Sequence, residues 1–134
     1  MDRTVERHGF TVARLHECFK LNAETGDLHW RTRPRHHFRT TAGHARFNNL
    51  YAGKRADIST YPTKGYRRVR LTTIEGKKVT ISAHLIVYAM TNGVWPTLEV
   101  DHRDRAKTNN APGNLRDVTH GVNMLNTHRG SARL

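Results

Sequence analysis

Between Thr97 and Asn126 the periodicity of the chain changes twice, and this limits the folds open to it more than any other stretch does. Leu98 and Val100 alternate with Thr97, Glu99 and Asp101, which predicts a strand ending at Asp101-His102. Asn109, Asn110, Pro112 and Gly113 then punctuate a polar loop. Leu115–Val118 reads as a second short strand. Thr119 is a good N-cap for a helix in which Val122 and Leu125 repeat at helical spacing. The order is β-β-α.

The residue types on this unit suit one kind of chemistry. Asp101 offers an anionic oxygen and Asn123 a neutral carbonyl oxygen, the hard ligands that Mg²⁺ accepts alongside water and phosphate. His102, with an ordinary pKa near 6.5, is able to take a proton from water. His120, Asn123 and Asn126 or Thr127 share one helix face, and Gly121 leaves room beside it. A base, a cation and a basic surround are the parts needed to hydrolyse a phosphodiester. Strand alternation sets Asp101 and His102 on opposite sides, with His102 on the side of Leu98 and Val100. Both reach one phosphate only where the strand ends or twists.

Asp101-His102, Asn114 twelve residues after His102, and Asn123 nine after that, resemble an HNH endonuclease of the ββα-metal (His-Me finger) superfamily. The resemblance is to the phage and intron-encoded homing branch, in which Asn replaces the final His. It extends to Lys107–Asn110, Asn114-Leu115-Arg116, Val118-Thr119-His120, Gly65–Val69 and Ala83–Val87, and so covers roughly Phe19 to Asn126. It implies that His102 is the general base and that Asp101 and Asn123 hold one Mg²⁺ or Mn²⁺ ion. Asn114 would brace the loop, tie the two strands together and orient His102. Asn126, Asp104 and His120 are the alternative or supporting ligands. The paired Cys-x-x-Cys zinc motifs of many superfamily members are ruled out by the single Cys18. The implied activity is metal-dependent cleavage of DNA to 5′-phosphate and 3′-hydroxyl ends, by a phage-encoded protein working in the cytoplasm of a bacterial host.

Charge points the same way without the family. Lys+Arg number 23 against 11 Asp+Glu, a net +12, and such an excess on 134 residues suits a polyanion. DNA is the leading partner. Arg67, Arg68 and Arg70 on one predicted strand, with Arg103, Arg105 and Lys107 in the loop after His102, are the candidate phosphate contacts. The alternative is a basic module that holds DNA or RNA without cutting it. No apolar run approaches a membrane span, no leader-like apolar segment follows Met1, and one cysteine fits a reducing, intracellular setting. Monomer and homodimer both stay open.

The chain suffices for a single 1–134 domain. Its first ten or so residues read as frayed. Val12, Leu15 and Cys18-Phe19 predict a short amphipathic helix capped by Thr11, and Phe19–Leu21 with Leu28–Trp30 predict a hairpin. Residues 31–62 keep no period, and read as a basic arm for phosphates in which Arg33, Arg35 and Arg39 mingle with Phe38, Phe47 and Tyr51. His36, His37 and His44 read there as surface residues. Within 63–93, Tyr66–Thr72 and Lys78–Ser82 alternate as a hairpin with a basic face, and Ala83–Thr91 is a buried helix in which His84 makes a structural hydrogen bond. Residues 94–128 form the catalytic unit, and Thr127–Leu134 a short basic tail. The expected fold is α+β: small antiparallel hairpins packed on a buried helix, with a C-terminal ββα-metal finger.

Overall fold

The computed structural model describes residues 5–58 and 65–128. The first described residues form a ribbon where the sequence suggests fraying. Strand β1 (Glu6–Arg7) pairs antiparallel with β2 (Phe10–Thr11). The link is His8-Gly9, both at positive φ (56° and 84°), the tight turn whose twist matches that of the flanking strands. Phe10 is buried, and its carbonyl accepts from the indole Nε1–H of Trp95 at 2.9 Å. A single anchor aromatic thus keeps an otherwise polar segment in place.

Helix α1 (Val12–Cys18) starts where Thr11 accepts from the Arg14 backbone N–H at 3.1 Å. It buries Leu15 and Cys18. Strands β3 (Phe19–Leu21) and β4 (Leu28–Trp30) follow as predicted, with Phe19 opposite Trp30 and Leu21 opposite Leu28. Trp30 is a core residue, its ring 4.8 Å from Phe19 and 5.0 Å from Phe47.

Over residues 31–58 folded elements replace the expected basic arm, and residues 59–62 lie outside the described residues. Residues 41–51 form a helix, α2 (Thr41–Tyr51), capped by Thr40 accepting from Gly43 N–H at 2.9 Å. Arg33, expected at the DNA surface, is 2 % exposed. Its guanidinium lies 4.9 Å from the ring centres of both Phe38 and Phe47, and its backbone is tied to the Asn48 amide through N–H (2.9 Å) and C=O (3.0 Å). Weakly hydrated arginine stacks on aromatic faces at modest cost. The aromatic residues of this segment therefore hold an arginine between them, instead of offering it to a phosphate.

Strands β5 (Arg68–Thr72) and β6 (Lys78–Ser82) pair as expected, burying Val69, Leu71 and Ile81 and turning Arg70, Lys78 and Thr80 outward. Helix α3 (Ala83–Asn92) buries Ala83, Ile86, Val87, Ala89 and Met90, and stops at Gly93 in the left-handed conformation (φ 78°). Strands β7 (Glu99–His102) and β8 (Leu115–Val118) form the fourth ribbon, and helix α4 (His120–His128) closes the unit. One apolar cluster runs from Leu15 and Phe19 through α3 to Val100 and Leu115. The architecture is α+β, built of two-stranded antiparallel ribbons around a buried helix. Among the described residues no helix is long and apolar enough to cross a membrane.

Trp95 is fully buried and bonds the N-terminal ribbon to the body. Trp95→Ala should cost about 3–5 kcal/mol in urea unfolding. A loss below about 1 kcal/mol would mean that the first ribbon contributes little.

Candidate active site

The β7–β8 ribbon packs against α3 and α4, and its alternation divides the candidate residues between them. Entry to β7 is fixed by Asp117, whose carboxylate accepts from the backbone N–H of Thr97 (2.9 Å) and Leu98 (2.8 Å). Asp101 is 2 % exposed and lies opposite Arg116 in the register. The two form a two-pronged ion pair, Nε to Oδ1 at 2.8 Å and Nη2 to Oδ2 at 3.2 Å, which holds the Arg116 guanidinium above its ordinary pKa. Asn123 on α4 donates through Nδ2 to Glu99 Oε2 at 3.4 Å. Glu99 stands two residues before Asp101 on the same strand side, an acid that the sequence reading left out. The chemistry here is that of hard oxygen donors around a cation, and a guanidinium already provides one.

His102, at the end of β7, faces α3. It is 4 % exposed and its ring lies 4.9 Å from that of His84 and 5.7 Å from that of Tyr66. Its Nε2 lies 2.7 Å from Asn110 Oδ1. An amide oxygen only accepts, so the ring proton belongs on Nε2 and the lone pair on Nδ1. Burial lowers the His102 pKa, outweighing the Asn110 bond and the charges of Asp104 and Asp101, which raise it. The imidazole is therefore neutral at pH 7, as a proton acceptor must be.

The loop between the strands is braced through side-chain amides. Asn114 donates to Asp104 Oδ1 (2.9 Å) and to the Asn109 carbonyl (2.8 Å), and accepts from the Asp104 N–H at 3.1 Å. Asn109 Nδ2 donates to Asp104 Oδ2 at 2.7 Å. Asn114 thus joins the two ends of the loop, whereas the bond at Nε2 of His102 comes from Asn110. The family resemblance assigns the orienting part to Asn114, whereas Asn110 reads in the sequence as loop punctuation; the one available signal is an Asn pair ending eight residues beyond His102. Asp104, an alternative ligand in the sequence reading, is committed to this brace. The side chains of His120 and Asn126 lie outside the described residues.

Support also comes from the β3–β4 turn. A Cβ on Gly26 would fall 1.9 Å from the Asn110 carbonyl oxygen, and Gly26 has φ 79°. The turn backbone therefore lies against the residue that holds His102.

His84 does not make the structural hydrogen bond expected of it. Its Nδ1 is buried without a partner, and burial, with the nearby His102 adding to it, pushes the imidazole down to about 3. Of the candidate phosphate contacts, Arg103, Arg105, Lys107 and Arg70 are exposed. Lys107 Nζ sits 5.0 Å over the Tyr66 ring. Arg67 and Arg68 are half-buried, and Arg67 donates to the Asp57 carbonyl at 3.3 Å. His37 is buried rather than a surface residue, and Glu17 approaches it (3.1 Å) and His36 (3.5 Å). Because Arg33 Nε–H donates to His37 Nδ1 at 3.0 Å, the His37 proton lies on Nε2 and faces Glu17. This group reads as a hydrogen-bonded chain.

Residues 82–125, from the start of α3 into α4, match the model of the HNH endonuclease family. The match contains Asp101, His102, Asn110, Asn114 and Asn123. At the level of the whole fold, the chain is similar to a solved structure described as "DNA binding and cleavage by the HNH homing endonuclease I-HmuI", with 28 % identity and a TM-score of 0.52. The similarity covers 87 % of this chain and 56 % of that one, so the chain spans little more than half the length of that protein. No curated protein matches the chain.

Gly26→Ala combines a positive φ with a backbone clash, and should destabilise the protein by more than about 1 kcal/mol while displacing Asn110. An unchanged His102 imidazole signal in NMR spectra of the variant would contradict that coupling. Burial holds His37 down at about 4 and His84 at about 3, whereas the unfolded chain takes up these protons near pH 6.5. Stability is therefore full above about pH 6.5 and falls with acidification, by up to about 1.4 kcal/mol per pH unit for each histidine. His84→Leu should lower that slope by one proton's worth in urea titrations between about pH 6 and pH 4.

Proposed function

We propose that this protein is a DNA endonuclease that hydrolyses phosphodiester bonds with His102 as general base. The observation that carries the reading is the His102–Asn110 bond, which leaves a neutral imidazole with its lone pair on Nδ1, one residue from a carboxylate at the end of a strand. His102 Nδ1 takes the proton of the attacking water, and Asn110 stabilises the imidazolium that results. Asn114 and Asp104 act through the loop by fixing where Asn110 stands. Arg103, Arg105 and Lys107 hold the flanking phosphates, and Lys107, lying over Tyr66, leads from the exposed loop toward the ring.

Asp101 and Asn123 are the residues that would hold a single Mg²⁺ or Mn²⁺. Their oxygen donors, with Glu99 beside them, suit a hard cation, which supplies positive charge for the phosphate oxygens and for the departing 3′-oxygen. For Asp101 to serve in this way, Arg116 has to yield part of its hold on the carboxylate. That makes Arg116 a cation that keeps the Asp101 carboxylate directed until it is used. DNA is the partner that a net +12 chain with this exposed loop fits best.

The test is a plasmid cleavage assay with Mg²⁺ or Mn²⁺, with and without EDTA. His102→Ala should lose about 10²–10⁴-fold in cleavage rate while keeping DNA affinity. A variant within a few-fold of the parent would remove His102 from the chemistry, and EDTA-resistant cutting would remove the ion. Binding without strand breaks in either ion would make the protein a non-catalytic DNA-holding module.

A further inference from the structure

The outward face of β5–β6 is not an open surface. It forms one wall of a groove of about 630 Å³, whose other side is built by Phe47 and Tyr51 of α2 together with Lys54 and Ile58. Along β5 the outward positions are Arg68, Arg70 and Thr72, which lie opposite Ser82, Thr80 and Lys78 on β6. These outward side chains are cationic or hydroxylic, Leu71 and Val79 add apolar surface to the same wall, and among the described residues no carboxylate lines the groove. Arg55 also borders it, but is committed to Asp27 (2.6 Å) and Asp57 (2.7 Å), so Lys54, Arg68, Arg70 and Lys78 carry the positive charge. Facing them are apolar groups with open surface: Tyr51 is 45 % and Ile58 68 % exposed. The Tyr51 ring stands 5.0 Å from that of Phe47, so the two form a stepped aromatic surface beside a row of cations.

We propose that this groove binds a single-stranded segment of nucleic acid, with the sugar-phosphate chain along Arg68, Arg70 and Lys78 and a base against Tyr51. Cations that follow a backbone, together with an accessible ring on which any base can stack, are the two components of strand binding without sequence preference. Size favours one strand over two. The volume falls among sites that enclose a single small guest (roughly 300–1,000 Å³). Position favours it as well. Strand β5, whose Arg68 and Arg70 line the groove, begins two residues after Tyr66, whose ring lies 5.7 Å from His102. Binding here does not require His102 to act as a base.

The experiment is fluorescence anisotropy in EDTA, where no metal-dependent cutting competes, with a labelled mixed-sequence single-stranded oligonucleotide and the matching blunt duplex over a range of salt. Tyr51→Ala should weaken single-strand binding by roughly 5- to 150-fold, the worth of one stacked base, and affect the duplex far less. Tyr51→Phe keeps the ring and should bind like the parent, which separates stacking from a folding defect. Arg70→Gln with Lys78→Gln should reduce the salt slope for the single strand by about 1–2. The proposal fails if Tyr51→Ala binds the single strand as the parent does. It also fails if single strand and duplex lose affinity equally, which would assign this face to duplex backbone.

Discussion

The bond between His102 and Asn110 is the interaction on which the candidate site depends. A buried imidazole adopts whichever tautomer its partner dictates, and an amide oxygen allows one choice. That oxygen stays in place because Asn110 is held between two supports. On one side Asp104, Asn109 and Asn114 satisfy one another across the loop. On the other, the glycine turn of β3–β4 lies against the Asn110 backbone, where any side chain would collide. A residue near the start of the fold thus sets the protonation geometry of a residue near its end.

Electrostatics divides the molecule in a way the net charge conceals. The two most buried carboxylates, Asp57 and Asp101, are each gripped by an arginine, Arg55 and Arg116. An unpaired buried carboxylate would be costly, and the partner matters more for avoiding that cost than for net stability. Arg103, Arg105 and Lys107 in the loop after His102, and Arg70 and Lys78 on the outer face of β5–β6, are exposed, on surfaces where a phosphate chain could replace water. The rings of Tyr66, His84 and His102 cluster together, and burial disfavours charge on either imidazole.

Much of the fold was legible wherever a single period ran long enough to be read. The alternation in Tyr66–Thr72 and Lys78–Ser82, the apolar helix after Ser82 and the β-β-α order near the C-terminal end all hold. Helix α2 was not legible, because it buries none of its residues and so carries no amphipathic stripe. The N-terminal ribbon was hidden for a related reason: its only apolar anchor, Phe10, is secured by Trp95, far along the chain. Arg33 looked like a surface cation because nothing local reveals that three rings will close around it.

By itself the sequence determined what is carried by local spacing and residue type: the ribbons, the central helix, the Asp-His pair at a strand end, the excess of positive charge and the family to which that pattern points. Only the tertiary structure decided which groups meet. It gave the imidazole to Asn110 rather than Asn114, closed Asp101 onto Arg116, set Glu99 beside Asn123 and stood α2 across from a basic strand face to make a groove. The physical reason is range. Secondary structure follows from periods within a few residues, whereas the direction of a hydrogen bond, the burial of a charge and the walls of a cavity follow from contacts between segments that only packing brings together.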